Sequence, residues 1–360
     1  MVLPAITVFG INIVSFSFDL LTFFAIYLAI SISLNLELGY AGIPNFGKAL
    51  MVAAGGSIGG SFAGQFAAWY LHVDTQGGFF RHWYTIIPQV STILEGDAWF
   101  SVALLFMTIL VGALAGGAIG YLASFPALRL REDYLAMILL AMAQLYVIFL
   151  ANTSVITDST DGLAIPDVFR FAGEWGPILS TGTIVAFAAL VYLYAERVAR
   201  SPLGRMLRAM RDNEVAAEAL GKDTVKARRN VLIVASMITG AAGALWAFQV
   251  GISQPGEYTR FVWTIYPWVM VIMGGAANNF GVALGTMVFW FILKFVDIAK
   301  FSFSAYVPFE VNYLQYMTVG AILLLILYFR PEGILKEKST ATTSSSRLRG
   351  LFGGDKKEPG

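Results

Sequence analysis

Apolar segments long enough to cross a membrane recur along almost the entire chain. A helix needs roughly 20 residues to span the hydrocarbon layer. Windows of that length lie near 18–36, 47–71, 98–124, 134–152, 177–196, 231–252 and 311–329. An eighth segment, 262–298, is too long for one helix and is interrupted by Gly274 and Gly275, then by Asn278 and Asn279. The pattern predicts an all-α polytopic transmembrane bundle with nine spans, or ten if residues 1–16 also cross.

The composition agrees with a chain solvated mainly by lipid. Hydrophobic residues make up 57% of the 360 residues and charged residues only 13%, about half the charged fraction of soluble domains. The net charge of +1 gives no electrostatic reason to expect nucleic acid as a partner. The chain has no cysteine, and both histidines fall in one predicted loop, 72–97. Thiolate chemistry is therefore excluded, a metal site is not expected, and no removable signal peptide is predicted.

Basic residues are divided very unequally between the two sides of the predicted membrane. The loops 125–133 and 197–230 and the tail from Arg330 carry two, nine and seven Lys or Arg, eighteen in all, whereas the opposite loops carry four. Positive loops face the cytoplasm, so these segments and the C-terminus are predicted to be inside. The expected location is the plasma membrane. Residues 1–335 form the predicted transmembrane domain, and the polar segment 336–360 is predicted to be a disordered tail.

Two interruptions of the apolar pattern are candidate parts of a permeation pathway. The first break contains Gly39, Gly42, Asn45, Gly47 and Lys48. The second contains Gly274, Gly275, Asn278 and Asn279. Irregular backbone at membrane depth is tolerated where it is buried in protein or lines a cavity, and broken helices often mark transport sites. The alternatives are an interfacial loop for the first break and a cytoplasmic turn for the second.

The first break superficially resembles a nucleotide-binding loop. Residues 42–49 read GIPNFGKA, which lacks the Ser or Thr that would bind magnesium, and no strand precedes them. We therefore predict that the chain has no ATPase activity of its own.

The charged loop 197–230 has the pattern of a docking element. One helical stripe consists of Leu203, Met206, Leu207 and Met210. Asn213 can cap a second short helix, with Glu214 in its first turn, and Gly221 stands where a left-handed residue would end that helix. Two short amphipathic helices are therefore predicted, which bind either a cytoplasmic protein or the lipid surface.

Three further features have a structural interpretation and a functional one. Small residues recur at helix-packing intervals at Gly55, Gly56, Gly59, Gly60, Gly112, Gly116 and Gly120. Packing within the bundle is the main prediction for them, and a subunit or pathway interface is the alternative. Lys294 and Asp297 are spaced to form a structural pair. The outer segment with Asp158, Asp161 and Gly162 is either a solvated loop or a docking surface for an extracytoplasmic partner.

Taken together, several stretches resemble the second, M-type permease subunit of branched-chain amino acid ABC importers. The matching stretches are SLNLELGYAGIPNFGKA (33–49), YLAMILLAMAQL (134–145), TDGLAIP (160–166), SPLGRMLRAMRDNEVAAEALG (201–221), MGGAANNFGVALG (273–285) and LYFRPEGIL (327–335). The resemblance implies a paralogous permease partner, two cytoplasmic ATPase subunits that hold ATP and magnesium, and an extracytoplasmic substrate-binding protein. It implies no cofactor on this chain, and it implies ATPase coupling through Ser201, Pro202, Gly204, Arg205, Arg208, Arg211, Glu214, Glu218 and Gly221.

The sequence also departs from the family pattern at both breaks. The family commonly has His or a small polar residue at Lys48, Gly-Ser-like residues at Asn278 and Asn279, and Pro at Val282. The substrate therefore stays open between branched-chain amino acids and urea, other amides or other amino acids. An ion-coupled secondary transporter is a further alternative, for which Lys48, Lys294 and Asp297 are the only candidate titratable groups inside the spans.

Overall fold

The computed structural model of the protein describes residues 7–8, 11–73, 78–130, 132–303 and 313–337, and these form a helical bundle. The helices are α1 Ile13–Asn35, α2 Lys48–Tyr70, α3 Phe79–Leu94, α4 Ala98–Arg129, α5 Glu132–Asn152, α6 Gly176–Arg200, α7 Pro202–Asp212, α8 Glu214–Ala219, α9 Thr224–Val250, α10 Tyr266–Gly274, α11 Asn279–Phe303 and α12 Tyr313–Phe329. The strands are β1 Thr7–Val8, β2 Ile11–Asn12, β3 Leu163–Ala164 and β4 Ile252–Ser253, paired β1 with β2 and β3 with β4.

A helix occupies every predicted apolar window, which confirms the predicted all-α polytopic fold. Within the described residues, six helical segments are long and apolar enough to cross a membrane. These segments centre on α1, α4, α5, α6, α9 and α11. The prediction of nine spans counted α2, α10 and α12 as well. These three helices differ from the six long apolar segments. Helix α2 is rich in glycine and largely buried, α10 has only nine residues and α12 has seventeen.

The outer and N-terminal regions contain elements that were not predicted from the sequence. In the N-terminal region, where a tenth span was left open, Thr7–Val8 pairs antiparallel with Ile11–Asn12 before α1, so these described residues do not form a spanning helix. The predicted loop 72–97 contains α3, whose apolar face, Ile86, Val90 and Leu94, is buried. This amphipathic helix, with 16 residues, is too short to be predicted as a membrane span. Most of the predicted loop 299–310, and residues 338–360 of the predicted tail, lie outside the described residues.

The centre of the bundle is a close three-helix contact between α2, α4 and α9. A Cβ placed on Gly55 would lie within 3.0 Å of the backbone of Gly240, and a Cβ on Gly240 within 3.0 Å of Gly112 and Gly116. Only glycine lets the three backbones approach so closely. The prediction that the small-residue faces serve packing within the bundle is confirmed for these positions.

Aromatic rings of α1 pack against rings of the neighbouring helices. Tyr27 stacks on Trp263, with 5.1 Å between ring centroids and 4° between the planes. Phe23 packs against Trp246 of α9 and Trp290 of α11. Large buried rings contribute much contact area with little loss of side-chain entropy. They hold the helix that leads into the first break in a fixed position.

Candidate functional site

The first break is a π-helical turn at Leu36–Tyr40 followed by an irregular segment that ends where α2 begins. Gly42 has a φ of +70°, a conformation that favours glycine. Backbone oxygens of the break that have no helical partner accept hydrogen bonds from side chains. Trp268 Nε1 donates to Asn45 O at 3.1 Å, and Thr264 Oγ1 donates to Phe46 O at 3.3 Å. The break is therefore an ordered and buried segment, as irregular backbone within a bundle has to be.

A fully buried ion pair spans this break. Lys48 Nζ lies 2.8 Å from Glu37 Oε2, and both side chains have 0% exposure. Apart from this ammonium group, Glu37 Oε2 has no partner among the described residues. Lys48 Nζ also donates to Ser33 Oγ at 3.0 Å and to Thr239 Oγ1 at 3.3 Å. The structure thus places Lys48 in the protein interior, where it joins α1, α2 and α9, and not on a cavity wall.

Asn45 and Gly47 support the same pair. Asn45 Nδ2 donates to Glu37 Oε1 at 3.1 Å, and Gly47 N donates to Asn45 Oδ1 at 2.7 Å. The other carboxylate oxygen of Glu37, Oε1, therefore has a hydrogen-bond donor. Buried charge is tolerated only with such compensation.

The second break is a tight turn between α10 and α11. Gly275 has a φ of +104° and Ala277 a φ of +61°, which is unusual for a residue with a Cβ. Asn278 Oδ1 accepts a hydrogen bond from Gly281 N at 3.1 Å and so caps α11. The predicted interruption of the segment 262–298 is confirmed, since α10 ends at Gly274 and α11 begins at Asn279.

The structure brings the two breaks together. Asn35 Oδ1 accepts from Ala277 N at 2.8 Å, and Asn35 Nδ2 donates to Asn279 Oδ1 at 2.9 Å. A Cβ on Gly39 would lie within 3.0 Å of both Asn35 Oδ1 and Ala277 N. Asn279 Nδ2 in turn donates to Glu196 Oε2 of α6 at 3.1 Å. Asn35 and Gly39 thus form the contact between the first break and the second break, which are about 240 residues apart in the sequence.

The charged loop folds into the two predicted short helices. Ser201 caps α7 by accepting from Gly204 N at 3.3 Å, with Pro202 in the first turn. A Cβ on Gly204 would lie within 3.0 Å of Val198 O and Ala199 O, so α7 packs closely on the end of α6. The predicted apolar stripe is largely turned into the protein, because Leu207 and Met210 are fully buried. That part of the stripe is therefore not available to lipid or to another subunit.

The predicted ends of the second short helix are confirmed. Asn213 Oδ1 accepts from Ala216 N at 3.0 Å, and Gly221 has a φ of +75° just after α8. The acidic residues of α8 bind within the chain. Glu214 Oε2 lies 2.9 Å from Arg228 Nη2, and Glu218 Oε1 accepts from Thr224 Oγ1 at 2.6 Å. Both carboxylates thus tie α8 to the start of α9.

Arginines of α7 contact the first break directly. Arg211 Nη1 donates to Gly39 O at 2.5 Å, and its Nη2 lies 2.9 Å from Glu337 Oε2. Burial lowers the pKa of Arg211, but hydrogen bonds and charges from Glu337 and Asp212 raise it more, so the guanidinium stays charged. Arg208 lies over the ring of Tyr40, 5.1 Å from its centroid. Helix α7 of the charged loop is therefore in direct contact with the first break.

The segment 330–337, which we call the C-terminal strap, joins α7 to the second break. Its Ile334 N donates to Met273 O at 2.8 Å, and Leu335 N donates to Gly274 O at 3.1 Å. Asn278 Nδ2 donates to Lys336 O at 3.0 Å. The strap satisfies carbonyls at the end of α10 that would otherwise have no partner, while Glu337 holds the α7 arginines.

A cleft of about 530 Å³ lies where α6, α7 and the second break meet. Its polar lining comes from Arg200, Arg205, Arg208, Glu196, Asn278 and Asn279. Tyr40 from the first break also reaches this wall. Both breaks and the charged loop therefore share one open space.

The opposite end of the molecule carries the predicted outer segment. Asp158 Oδ2 accepts from Trp83 Nε1 at 3.1 Å, so this carboxylate is partly engaged within the chain. Gly162 is buried, with a φ of +75°, beside Gln254. Asp161 is exposed. A second cleft of about 640 Å³ lies at this end and includes Arg170, whose Nε lies 3.1 Å from Glu95 Oε2.

The charged residues of α11 lie away from both breaks. Lys294 Nζ lies over the ring of Phe23, 4.9 Å from its centroid. Asp297 accepts a hydrogen bond from Gln315 of α12. The spacing of Lys294 and Asp297 predicted a pair between them, whereas the contacts described here are to Phe23 and to Gln315.

Comparison with known proteins identifies the family. The family described as branched-chain amino acid transport system / permease component matches residues 16–327. The chain belongs to this family. No solved structure matches the chain.

Individual relatives agree with the family match. The chain is 33% identical over 326 residues to a probable branched-chain amino acid transport permease protein LivM of Methanocaldococcus jannaschii, covering 90% of this chain and 94% of that protein. It is 25% identical over 250 residues to LivM of Salmonella typhimurium, covering 62% of this chain and 56% of that protein. It is 24% identical over 264 residues to LivH of Escherichia coli, covering 70% of this chain and 80% of that protein. The permease is therefore a multi-pass membrane protein of a transport family, and such permeases act with other ABC transporter subunits.

Sequence reasoning missed three residues at the centre of this permease site. Glu37 is the one charge near the end of the first apolar window, eleven positions before Lys48, and that spacing across a break could have suggested the pair. Asn35, a polar amide within an apolar span, gave a weaker signal. Glu337 gave no local signal, because its partners in α7 lie more than 120 residues earlier.

Proposed function

We propose that the chain is the membrane-spanning permease subunit of an ABC importer that carries branched-chain amino acids across the plasma membrane. The observation that carries this proposal is the match to LivM of Methanocaldococcus jannaschii over nearly the full length of both proteins. The geometry supports it. The charged loop is folded against both helix breaks, so movement of that loop would reach the membrane-embedded part directly.

The proposed assembly contains a paralogous permease, two cytoplasmic ATPase subunits and an extracytoplasmic substrate-binding protein. Escherichia coli has both a LivM and a LivH permease, and both are similar to this chain, which favours a heterodimer of permeases. ATP and magnesium would be held by the ATPase subunits. In this proposal the charged loop and the C-terminus are cytoplasmic, as the distribution of basic residues predicts, and the segment 153–176 is outside.

Transport in a reconstituted system tests the proposed function. The permease, its permease partner and the ATPases are placed in proteoliposomes with the binding protein, and uptake of radiolabelled leucine is measured with and without ATP. We expect ATP-dependent leucine uptake that excess isoleucine or valine suppresses. The same vesicles are tested with radiolabelled urea. Urea uptake without leucine uptake would assign the chain to the alternative substrate class.

The exposed apolar residues of α8 and of its C-cap position, Leu220, form the surface that we expect to contact an ATPase subunit. Val215 is 76% exposed and Leu220 is 79% exposed, whereas Glu214 and Glu218 bind within the chain. Exposed apolar groups on a charged loop favour a protein partner. We expect Val215→Asp with Leu220→Asp to reduce copurification of the ATPase about tenfold or more, since two apolar contacts are worth roughly 1.5–3 kcal/mol each when fully buried.

A matched control comes from the other side of the molecule. Val155 is 70% exposed in the outer segment, so Val155→Asp should leave ATPase copurification unchanged. Glu214→Ala and Arg228→Ala should have the same effect on ATPase copurification as each other, because they remove the same ion pair. Normal copurification in the double α8 variant would show that the ATPase binds elsewhere.

A further inference from the structure

Helix α5 is the least enclosed of the six long apolar segments that the structure describes. Only 22% of the residues in its apolar window are buried, against 33–72% in the other five segments. The helix has 21 residues and is therefore about 31 Å long, which matches a hydrocarbon thickness of roughly 30 Å. Its buried side packs on α2 and α4. Most of the surface of α5 is turned away from the rest of this chain.

Gln144 is an exposed amide near the middle of this helix. It lies eight residues before Asn152 and twelve after Glu132, so about 12 Å and about 18 Å separate it from the two helix ends. Its side chain makes no hydrogen bond to any residue that the structure describes. Lipid tails offer an amide no hydrogen-bond partner, and an unsatisfied polar group in hydrocarbon is costly. A polar group of another protein therefore has to lie against Gln144 in the membrane.

Gln144 belongs to a stripe of exposed residues with the spacing of a helix-packing seam. The members of this α5 seam recur at alternating intervals of three and four residues: Tyr134, Met137, Ala141, Gln144 and Ile148. Such spacing keeps one side of a helix against a second helix that crosses it at a small angle. The centre of the seam combines a small residue, which allows close approach, with an amide, which can bond across two helices. Interfaces between membrane helices are built from these two kinds of residue.

The exposed residues beside the α5 seam have the character of a lipid-facing surface. Leu145 and Phe149 line an apolar groove of about 450 Å³ next to α4. The one hydroxyl in the lining of this groove, that of Tyr146, already lies 2.8 Å from Ser57 Oγ. The groove therefore leaves no polar group in need of a partner, whereas the seam does.

We propose that the α5 seam packs against a membrane-spanning helix of the paralogous permease, which supplies a hydrogen-bonding side chain opposite Gln144. A permease fits this surface because it offers a helix at the depth of Gln144. The ATPase subunits and the binding protein of the proposed assembly lie outside the membrane and cannot reach it. The proposal rests on the proposed function, which supplies the partner, and it assigns the face on which that partner binds.

Photo-crosslinking in the assembled transporter tests the proposed face. The photoreactive amino acid p-benzoylphenylalanine replaces Met137, which is 65% exposed in the seam, or Leu110, which is 57% exposed on α4. We expect irradiation to link position 137 to the paralogous permease, identified by mass spectrometry of the linked peptides, and position 110 to give no such product. A link from position 137 to a second copy of this chain would overturn the paralogue as the partner. No link from position 137 to any permease would overturn the interface.

Two substitutions test the amide and the small residue separately. Gln144→Leu removes the interhelical hydrogen bond and should reduce copurification of the paralogous permease about fivefold. Ala141→Phe should reduce it further, because the ring prevents close approach of the second helix. Both positions are exposed in this chain, so neither change disturbs its own packing. Ala189→Phe places the same ring at an exposed alanine of α6 and should leave copurification unchanged. Undiminished copurification with Gln144→Leu and with Ala141→Phe would refute the proposal.

The crosslink and the transport assay separate failure of this proposal from failure of the proposed function. ATP-dependent leucine uptake by the unaltered transporter reports on the cargo, whereas the crosslink reports on the interface. Leucine uptake together with a crosslink to the paralogue from position 110 alone would refute the seam and leave the importer assignment in place. A crosslink from position 137 without leucine uptake would support the seam and refute leucine as the cargo.

Discussion

Replacing Lys48 by methionine should destabilise the permease by about 3–5 kcal/mol, because it leaves the carboxylate of Glu37 buried without a counter-charge. Both side chains have 0% exposure and lie 2.8 Å apart. The ammonium also donates to Ser33 and Thr239, so three helices lose a common contact. Thermal unfolding of the purified protein in detergent measures the loss, and uptake should fall with it.

A compensating variant separates the ion pair from the shape of the lysine side chain. Glu37→Gln combined with Lys48→Met removes both charges while the glutamine still accepts from Asn45. We expect this double variant to recover most of the stability, since replacing a buried pair by neutral groups is often close to neutral. Lys294→Met is the matched control and should have a smaller effect, because Lys294 contacts the face of Phe23. Equal loss in the single and double variants would refute the ion-pair explanation.

Substituting Gly39 by alanine should separate the two breaks and abolish most uptake. The added Cβ would lie within 3.0 Å of Asn35 Oδ1 and of the backbone nitrogen of Ala277. The hydrogen bond between those two atoms, now 2.8 Å long, would have to lengthen or break. Overpacking of this kind costs about 1–3 kcal/mol, and here the cost falls on the contact between the breaks.

The effect of Gly39→Ala is measured as ATP-dependent uptake together with the amount of assembled transporter. Gly182→Ala is the control, because nothing lies within 4 Å of a Cβ at that position of α6. There the alanine should increase stability slightly, by about 0.5–1 kcal/mol, through higher helix propensity. If both alanine variants retain normal uptake, close approach at Gly39 is not needed for transport.

Hydropathy and helix-end chemistry predicted most of the fold, because both depend on neighbouring residues. The caps at Asn213 and Gly221 and the interruption at Gly275 followed from local conformational preference alone. The hairpin before α1 and the amphipathic helix α3 were missed. Neither has the continuous apolar run on which the prediction of spans depends, although the buried face of α3 follows an ordinary helical period.

The site was predicted less completely, since it is made by contacts between distant parts of the chain. Sequence reasoning placed Lys48 at a candidate pathway, yet its environment depends on Thr239, which lies 191 residues later. The stripe on α7 was correctly identified as apolar, but the surface that Leu207 and Met210 cover could not be known. Periodicity shows that a face must be buried; only the tertiary structure shows against what.

The C-terminal strap has a consequence for how this protein is made. A chain is synthesised from its N-terminus, and earlier segments fold before later ones emerge. The strap is the last described segment to leave the ribosome, so the helices can insert while the carbonyls of Met273 and Gly274 and the guanidinium of Arg211 still lack its contacts. A product truncated before Arg330 would therefore enter the membrane with its helices formed and with α7 untethered from α10. Synthesis of residues 330–337 is what converts an inserted bundle into one whose charged loop and helix breaks are joined.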